Sequence, residues 1–192
     1  MARSLVDERF SVVDVETSGR PPTRHRVLQI GLVTIDGNGT VLDRWATLVG
    51  PGLAIWRSVG PSDVHGIRRR DLVLAPRPRR AFGELARRLA GTRVVAHNAP
   101  FDLAFLRAEA ARAGIDLPLD RPLCTLQLSR SLDPGRQLSH RLVDACARRG
   151  IDLVNAHDAL ADAEATAALF PHLLHDHGIT STEQLAALPT AR

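Results

Sequence analysis

The sequence predicts an α/β protein in which a mixed β-sheet is flanked by helices. Three segments with the apolar composition of strands come first, and helical patterns that alternate with short apolar runs follow them. Grouped strands followed by single strands between helices are typical of an α/β layer architecture. A chain of 192 residues is long enough to form one domain with a substantial core.

The strands are predicted from apolar runs that turn sequences separate. The first lies within Phe10–Gly19 and is followed by a proline-containing loop. Arg26–Asp36 and Thr40–Val49 are joined by a Gly-Asn-Gly turn, which favours a hairpin and hence an antiparallel start to the sheet. Shorter strands are predicted at Arg93–Ala96 and within Pro122–Leu128.

Helices are predicted where apolar residues recur at helical spacing. Asn98 is predicted to cap the second helix, and Pro171 to kink or shorten the fourth. Thr180 and Glu183 form a capping-box pattern before the last one. The predicted helices are Arg79–Ala90, Ala99–Ala113, Leu138–Arg149, Asp158–Leu174 and Ser181–Leu188.

The composition restricts the class of protein. All 25 basic residues are arginine and the formal net charge is +4, which is compatible with a phosphate-rich partner, although an arginine-rich codon bias gives the same count. The absence of tyrosine excludes any mechanism that needs one. Cys124 and Cys146 form no C-x-x-C motif and are interpreted as reduced, buried thiols of a cytoplasmic protein. Without an apolar leader or a run of about 18 apolar residues, we expect neither secretion nor membrane insertion.

Two acids stand in the first predicted strand. Because side chains alternate faces along a strand, Asp14 and Glu16 point the same way, with Val13 and Val15 opposite. Unpaired buried carboxylates would repel each other, and each would cost roughly several kcal/mol of desolvation. A divalent cation removes this cost, because hard cations take carboxylate oxygens as ligands. The alternative is that the strand ends near Asp14 and that both acids are solvated.

Three further residues could complete a site of this kind. Asp102 falls in the first turn of a predicted helix, where the helix dipole alone favours a carboxylate by up to about 1 kcal/mol. Asp162 lies in the middle of another predicted helix, with His157 just before that helix, and taken singly they are a solvated acid and a loop histidine. Asp158 is a rival for either role and is assigned as the helix N-cap.

Taken together, four acids and one histidine have the makeup of a two-metal site. Two cations about 3.5–4 Å apart can bind a phosphodiester, one activating water and the other stabilising the leaving oxygen. A neutral histidine, with an ordinary pKa of about 6.5, suits the task of taking the proton from that water.

Three motifs carry these five residues, in a fixed order along the chain. They are D-x-E-T at Asp14–Thr17, H-N-A-x-F-D at His97–Asp102 and H-x-A-L-x-D-A at His157–Ala163. These motifs resemble those of the DnaQ-like, DEDDh 3′–5′ exonuclease family. V-H-G-I at Val64–Ile67 is similar to a segment of its proofreading-type members, and the missing tyrosine agrees with the histidine subclass. The resemblance covers roughly residues 8–175.

The resemblance implies a ribonuclease H-like fold with a five-stranded mixed sheet, three antiparallel strands and then parallel ones. It implies one exonuclease domain over residues 1–192, with a catalytic core at about 8–175 and a short helical tail at 176–192. Two divalent cations, Mg²⁺ or Mn²⁺, would be held by four carboxylates, Asp14 would bridge both ions, and His157 would be the general base. The product would be a nucleoside 5′-monophosphate from a 3′ end. The implied metal ligands are Asp14, Glu16, Asp102 and Asp162.

The same resemblance extends to the substrate. Glu16 would also approach the terminal 3′-hydroxyl, and the backbone from Val15 to Ser18 would line the pocket of the terminal nucleotide. His65 is expected either near the substrate or in a structural role. The expected substrate-binding residues are Val15, Glu16, Thr17, Ser18, His65, His97, Asn98 and Phe101.

Several arginine, histidine and tryptophan residues have open assignments. Trp56 could stack on a base or be buried under its loop. Phosphate contacts or solvated positions are the alternatives for Arg20, Arg24, His25, Arg26 and Arg68–Arg70. Surface positions are predicted for His140, His172, His175 and His177.

We therefore expect a metal-dependent 3′–5′ exonuclease that acts on single-stranded or frayed DNA ends, with a DNA polymerase as a candidate partner. One alternative is an RNA-directed member of the same family that trims RNA or hydrolyses short oligoribonucleotides. DNA and RNA differ in contacts to the 2′-hydroxyl, which no motif reports, and V-H-G-I favours the DNA group. A catalytically idle nucleic-acid-binding or polymerase-docking module is the third reading, and it ranks last because all five site residues are present.

Overall fold

A five-stranded mixed sheet forms the centre of the computed structural model, which describes residues 4–50 and 59–191. The strand order is β3-β2-β1-β4-β5, in which β1, β2 and β3 are antiparallel neighbours, while β4 runs parallel to β1 and β5 parallel to β4. The predicted sheet of three antiparallel strands followed by parallel ones is confirmed. Trp56 lies outside the described residues. The strands are β1 (Arg9–Thr17), β2 (Val27–Asp36), β3 (Val41–Leu48), β4 (Arg93–Ala96) and β5 (Leu123–Cys124).

Helices cover both faces of this sheet. The core on one face is built with α3 and α4, and the core on the other with α5 to α8. α4 has the predicted bounds, whereas the sequence patterns do not predict α1 and α2. A short 3-10 helix (Leu5–Asp7) precedes β1, and the α-helices are α1 (Ser62–His65), α2 (Arg69–Leu72), α3 (Pro78–Leu89), α4 (Ala99–Ala113), α5 (Thr125–Ser131), α6 (Leu142–Ala147), α7 (Ala159–Asp176) and α8 (Thr182–Ala187).

The central strand β1 is buried on both faces, and its alternation decides where the acids point. Val13 and Val15 pack into the core beneath α3 and α4. Phe10 and Val12 pack into the core beneath α7, where the Phe10 ring meets Phe170 edge-on at 5.0 Å between centroids. With a period of two, the next side chains along the Phe10 face are directed toward the α7 side of the sheet.

Pro171 does not shorten α7, which was one of the two predicted effects, because the helix continues to Asp176. The last turns of α7 bury Phe170, Leu173 and Leu174, each at most 3% exposed. Tertiary burial of an apolar face supplies most of a helix's stability, and here it outweighs the hydrogen bond that proline removes.

The helix predicted at Leu138–Arg149 begins only at Leu142. The cause is His140, which the sequence places at the surface but which is 8% exposed in the structure. Its ring hydrogen-bonds Ser129 Oγ at 2.8 Å and Asp133 Oδ2 at 3.1 Å. These bonds hold the preceding segment in a loop against α5.

Two of the predicted helix caps differ in the structure. Asn98 is at the N-cap position of α4, but its backbone is left-handed (φ 63°) and its side chain makes no capping hydrogen bond. The capping box of α8 is formed by Ser181 and Gln184, one residue later than the predicted Thr180 and Glu183. Asp158 caps α7 as predicted, with Oδ1 accepting the N–H groups of Leu160 and Ala161 at 3.1 Å.

The prediction that Cys124 and Cys146 are unpaired and buried is confirmed. Among the described residues, no helix has the length and apolar character needed to cross a membrane.

Candidate active site

Asp14 and Glu16 project from β1 toward the side of the sheet that α7 covers. Both side chains are partly buried rather than solvated, so the strand does not end at Asp14. The register between β1 and β2 shifts immediately after Glu16, which ends the regular pairing at the edge of the site. A bulge next to an active site redirects the chain and its side chains.

Asp102 reaches the same place from α4, which begins directly after β4, the parallel neighbour of β1. It is only 2% exposed, and its Oδ1 accepts the backbone N–H of Val15 at 3.3 Å. This bond fixes Asp102 against the strand between the positions of Asp14 and Glu16. A favourable interaction with the helix dipole does not require an acid to be buried, so this interaction alone does not explain the position of Asp102.

Asp162 and His157 come from the start of α7. The backbone N–H of His157 donates to Asp162 Oδ2 at 3.2 Å, while Asp162 Oδ1 is buried and has no hydrogen-bond partner among the described residues. His157 is exposed and has a positive φ of 71°. Buried unsatisfied oxygens and left-handed non-glycine residues are uncommon and occur at functional sites.

These side chains converge. One ligand atom each from Glu16, His157 and Asp162 lies within 4.8 Å of the other two. Burial raises the pKa of Asp14 well above its usual range, and the charges of Asp102, Asp162 and Glu16 raise it further. The structure therefore brings all five predicted residues into one electrostatic cluster.

The electrostatics of the cluster demand a neutralising partner. Burial raises the pKa of Glu16 to about 8, with the charge of Asp162 adding to the shift. Burial also raises the pKa of Asp102 well above its usual range, and that of Asp162 is raised by burial against the opposing hydrogen bond from His157. Because their negative charges repel one another, clustered buried carboxylates cannot all be ionised unless a cation is bound, and without a cation some of them bind protons. Four carboxylates with an imidazole suit a hard divalent cation, and the orphaned Oδ1 of Asp162 is a ready ligand atom.

Two residues of β2 seat α7 over the site, and the sequence analysis misses both. Gln29 donates to Asp158 Oδ2 at 2.9 Å and accepts the N–H of Ala159 at 3.3 Å. Gly31 pairs with Asp14 in the sheet, and a Cβ on Gly31 would lie 2.1 Å from the carbonyl oxygen of Ala159. Glycine inside a strand is a signal of close backbone approach, and a polar residue in a buried strand is a second one.

The predicted substrate-binding backbone at Val15–Ser18 lies beside the carboxylates, but part of its hydrogen-bonding capacity is used inside the protein. The N–H of Val15 is bonded to Asp102, and the N–H of Ser18 donates to the carbonyl of Arg26 at 3.0 Å. Ser18 Oγ accepts the N–H of Arg26 at 3.1 Å. Thr17 is buried, and its hydroxyl donates a hydrogen bond to the carbonyl oxygen of Gly19 at 3.3 Å.

Both histidines expected near the substrate are held by the protein at both ring nitrogens. His65 is bonded to the carbonyl of Val59 at 3.1 Å and to the N–H of Ile67 at 3.1 Å. His97 is bonded to Thr125 Oγ1 at 2.9 Å and to the carbonyl of His140 at 3.0 Å. Burial lowers the pKa of His97 to about 4, so that its ring is neutral at physiological pH.

Asn98 and Phe101 lie at the start of α4, the helix that carries Asp102. Asn98 is exposed, and Phe101 is partly buried against Phe105 at 5.0 Å between ring centroids. The guanidinium of Arg20 lies 4.8 Å from the centre of the Phe101 ring. An arginine stacked on an aromatic ring is stabilised by the quadrupole of the ring and keeps its hydrogen-bond donors.

The arginines with open assignments divide into structural and exposed groups. Arg26 forms a two-point ion pair with Glu109, which is 1% exposed and also pairs with Arg112 at 2.9 Å. This places Arg26 in the interior framework rather than on nucleic acid. Arg68–Arg70 are exposed at the start of α2.

Residues 11–170 match the model of the RNase_T family of exonucleases. The chain belongs to the DnaQ-like exonuclease family. This membership confirms the resemblance that the three motifs carry, and with it the assignment of the chain to the nucleases.

The relatives of this DnaQ-like chain include larger proteins. DNA polymerase III subunit epsilon of Treponema pallidum is 31% identical over 169 residues, which cover 88% of this chain and 77% of that protein. The 3′-5′ exonuclease DinG of Bacillus subtilis is 32% identical over 87% of this chain and 18% of its own length. DNA polymerase III PolC-type of Bacillus cereus is 30% identical over 91% of this chain and 12% of its own length. The DnaQ-like chain thus spans less than a fifth of DinG and PolC.

Among solved structures, E. coli Exonuclease I in complex with a dT13 oligonucleotide superposes with a TM-score of 0.77 at 21% identity. The superposition covers 90% of this chain and 42% of that protein. At this identity the likeness establishes the fold, and it confirms the ribonuclease H-like architecture.

Proposed function

We propose that this chain is a divalent-metal-dependent 3′–5′ exonuclease that removes nucleoside 5′-monophosphates from DNA 3′ ends. One observation carries the proposal: Glu16, His157 and Asp162 meet within 4.8 Å beside the partly buried Asp14 and the buried Asp102, and one buried oxygen of Asp162 has no hydrogen-bond partner among the described residues. Such a constellation is unfavourable unless a cation occupies it.

Two cations, Mg²⁺ or Mn²⁺, are proposed for this site. When bound, they would supply Lewis acidity to the scissile phosphate and to the attacking water. The residues that would hold them are Asp14, Glu16, Asp102 and Asp162, with Asp14 central because the charges of all three other carboxylates raise its pKa. The Val15 N–H holds Asp102 in place, and α7 holds Asp162.

His157 is proposed as the general base. It is exposed, so it can exchange a proton with solvent after each turnover. A nitrogen of its ring lies within 4.8 Å of carboxylate oxygens of Glu16 and Asp162, which supports a role in taking a proton from a water molecule that the proposed cations would bind. A positioned base of this kind contributes about 10²–10⁴-fold to the rate.

DNA is the proposed substrate. The relatives are named for DNA polymerase III or as a 3′-5′ exonuclease, and Exonuclease I was solved with a dT13 oligonucleotide, which favours single-stranded DNA over RNA. The names of the polymerase relatives also support a DNA polymerase as a candidate partner. The two free, buried cysteines support a cytoplasmic location.

The test is a product assay with matched single-stranded DNA and RNA oligonucleotides, labelled at the 5′ end in one set and at the 3′ end in another. With Mg²⁺ or Mn²⁺, we expect the 5′-labelled DNA to shorten one nucleotide at a time and the 3′-labelled DNA to release its label first. EDTA and the Asp14→Ala variant serve as controls. Internal cleavage, shortening from the 5′ end, faster loss of RNA or persistence of activity in either control would contradict the proposal.

A further inference from the structure

An open groove of about 800 Å³ is lined by residues of α5, of the segment 132–141 and of the start of α6, and His157 also lines it. This volume is within the range of ligand-binding clefts. Among the described residues that line it, none is acidic and four are arginine. We call it the arginine groove, and its defining residues are Arg20, Arg130, Arg136, Arg141, Leu126 and Leu138.

Not all the arginine side chains of this groove interact with other residues of the protein. Arg141 donates to Asp144 at 2.7 Å, which offsets its charge, and Arg20 lies over Phe101. Arg130 and Arg136 are exposed, and in the described part of the chain the guanidinium group of neither has an ion-pair or hydrogen-bond partner. Two unpaired guanidinium groups that border one open groove can take phosphate oxygens bidentately.

The groove also presents apolar surface between its charges. Leu138 is 52% exposed in the loop before α6, and Leu126 lies partly buried at the start of α5. Alternation of guanidinium groups with apolar side chains matches a single strand, in which phosphates and unpaired bases are both accessible. A duplex would offer its phosphates but keep its bases stacked inside.

The wall that carries Arg136 and Leu138 is held in place by a hydrogen-bonded chain. His97 bonds the carbonyl of His140, and the His140 ring bonds Asp133 Oδ2 at 3.1 Å. The same Asp133 oxygen accepts the N–H of Leu138 at 2.9 Å. A recognition loop that is ordered before binding loses less entropy when a ligand arrives.

We propose that the arginine groove binds the part of a DNA single strand that lies on the 5′ side of the scissile phosphate, with Arg130 and Arg136 contacting its phosphates. The inference rests on the proposed function, because it takes the terminal nucleotide to lie over Val15–Ser18. The remainder of the strand then leaves the carboxylate cluster past His157, which belongs both to that cluster and to the lining of the groove.

The test compares two substrates in the Arg130→Gln/Arg136→Gln variant. A single-stranded thymidine oligonucleotide is long enough to enter the groove, whereas thymidine 5′-(4-nitrophenyl) phosphate has no second phosphate to place there. We expect KM for the oligonucleotide to rise roughly tenfold relative to KM for the ester, from the loss of two exposed ion pairs. The slope of log(kcat/KM) against log salt concentration should fall by about 0.7 for each lost phosphate contact.

The matched control is Arg80→Gln/Arg107→Gln, which removes the same charge from exposed positions on α3 and α4, over the other face of the sheet. If both double variants change KM and the salt slope equally, the effect is one of net charge and the groove assignment is overturned. If the wild-type protein hydrolyses the ester but the groove variant handles the oligonucleotide normally, the groove fails while the proposed function stands. Failure of the wild-type protein on both substrates would instead refute the proposed function.

Discussion

Gly31 controls how closely the catalytic helix approaches the sheet, and Gly31→Ala tests this directly. The new methyl group would lie 2.1 Å from the carbonyl oxygen of Ala159 and 2.5 Å from the nitrogen of Leu160. Both are backbone atoms at the N-terminus of α7, so no flexible side chain can move aside. Ordinary contact begins at 3.4 Å, which means that the start of α7 must retreat by about 1.3 Å.

That displacement acts on Asp162, which lies in the first turn of α7, and on His157, which lies two residues before the helix begins. A misplacement of about 1 Å at a catalytic group can lower the rate by roughly 10²-fold. The overpacking itself is expected to cost about 1–3 kcal/mol of unfolding free energy. We therefore expect Gly31→Ala to remain folded while its kcat/KM falls about 10²-fold and its Mn²⁺ affinity weakens.

The assay is hydrolysis of thymidine 5′-(4-nitrophenyl) phosphate, with urea unfolding and a Mn²⁺ titration on the same samples. Gly83→Ala is the matched control, since Gly83 lies within α3 and a Cβ there meets nothing within 4 Å. This control should gain about 0.5–1 kcal/mol from reduced chain entropy and keep its activity. A Gly31→Ala protein with wild-type kcat/KM and Mn²⁺ affinity would refute the reasoning that this contact positions the site.

Three other predictions concern the cluster itself. Asp162→Asn should abolish turnover yet raise Tm in EDTA, because it removes a buried charge whose Oδ1 has no partner among the described residues; a lower Tm in EDTA would contradict the reasoning. His157→Gln should lower kcat by about 10²–10⁴-fold with Mn²⁺ affinity retained, and a change of less than a few-fold, measured on the nitrophenyl ester, would remove it from the role of base. Burial raises the pKa of Glu16 to about 8, so the folded metal-free protein keeps a proton that the unfolded chain releases near pH 4.5. Its Tm in EDTA should therefore fall between pH 6.5 and 8, above the range where His97 titrates, and Mg²⁺ or Glu16→Gln should flatten that decline; a Tm that rises over this interval would show that the sign is wrong.

The carboxylates proposed to carry the chemistry could be identified from the sequence because the positions of two of them conflict with ordinary packing. Asp14 and Glu16 interrupt a strand that is otherwise apolar, and alternation alone predicts their common face. Asp102 and Asp162 lie in the first turns of helices, where an acid can be explained by its favourable interaction with the helix dipole alone. Only the order of the motifs, and not the local pattern, predicted that they would meet at one site.

The residues that position this chemistry were harder to predict, because their roles depend on contacts between distant segments. Gly31 and Gln29 act on α7, which is about 130 residues away along the chain. Arg26 and its partner Glu109 are 83 residues apart in the sequence. Without the fold, this ion pair could not be distinguished from a phosphate-binding role for Arg26. His140 is predicted at the surface because no pattern in the neighbouring sequence indicates its hydrogen bonds to Ser129 and Asp133.

The most direct test of the central claim is a crystal structure grown with Mn²⁺ and thymidine 5′-monophosphate, with anomalous scattering data collected at the manganese edge. We predict two anomalous peaks about 3.5–4 Å apart among the oxygens of Asp14, Glu16, Asp102 and Asp162, with the nucleotide phosphate bound to both. His157 should lie beside the phosphate without contacting either ion. A map with no peak among these carboxylates, or with His157 as a metal ligand, would contradict the account.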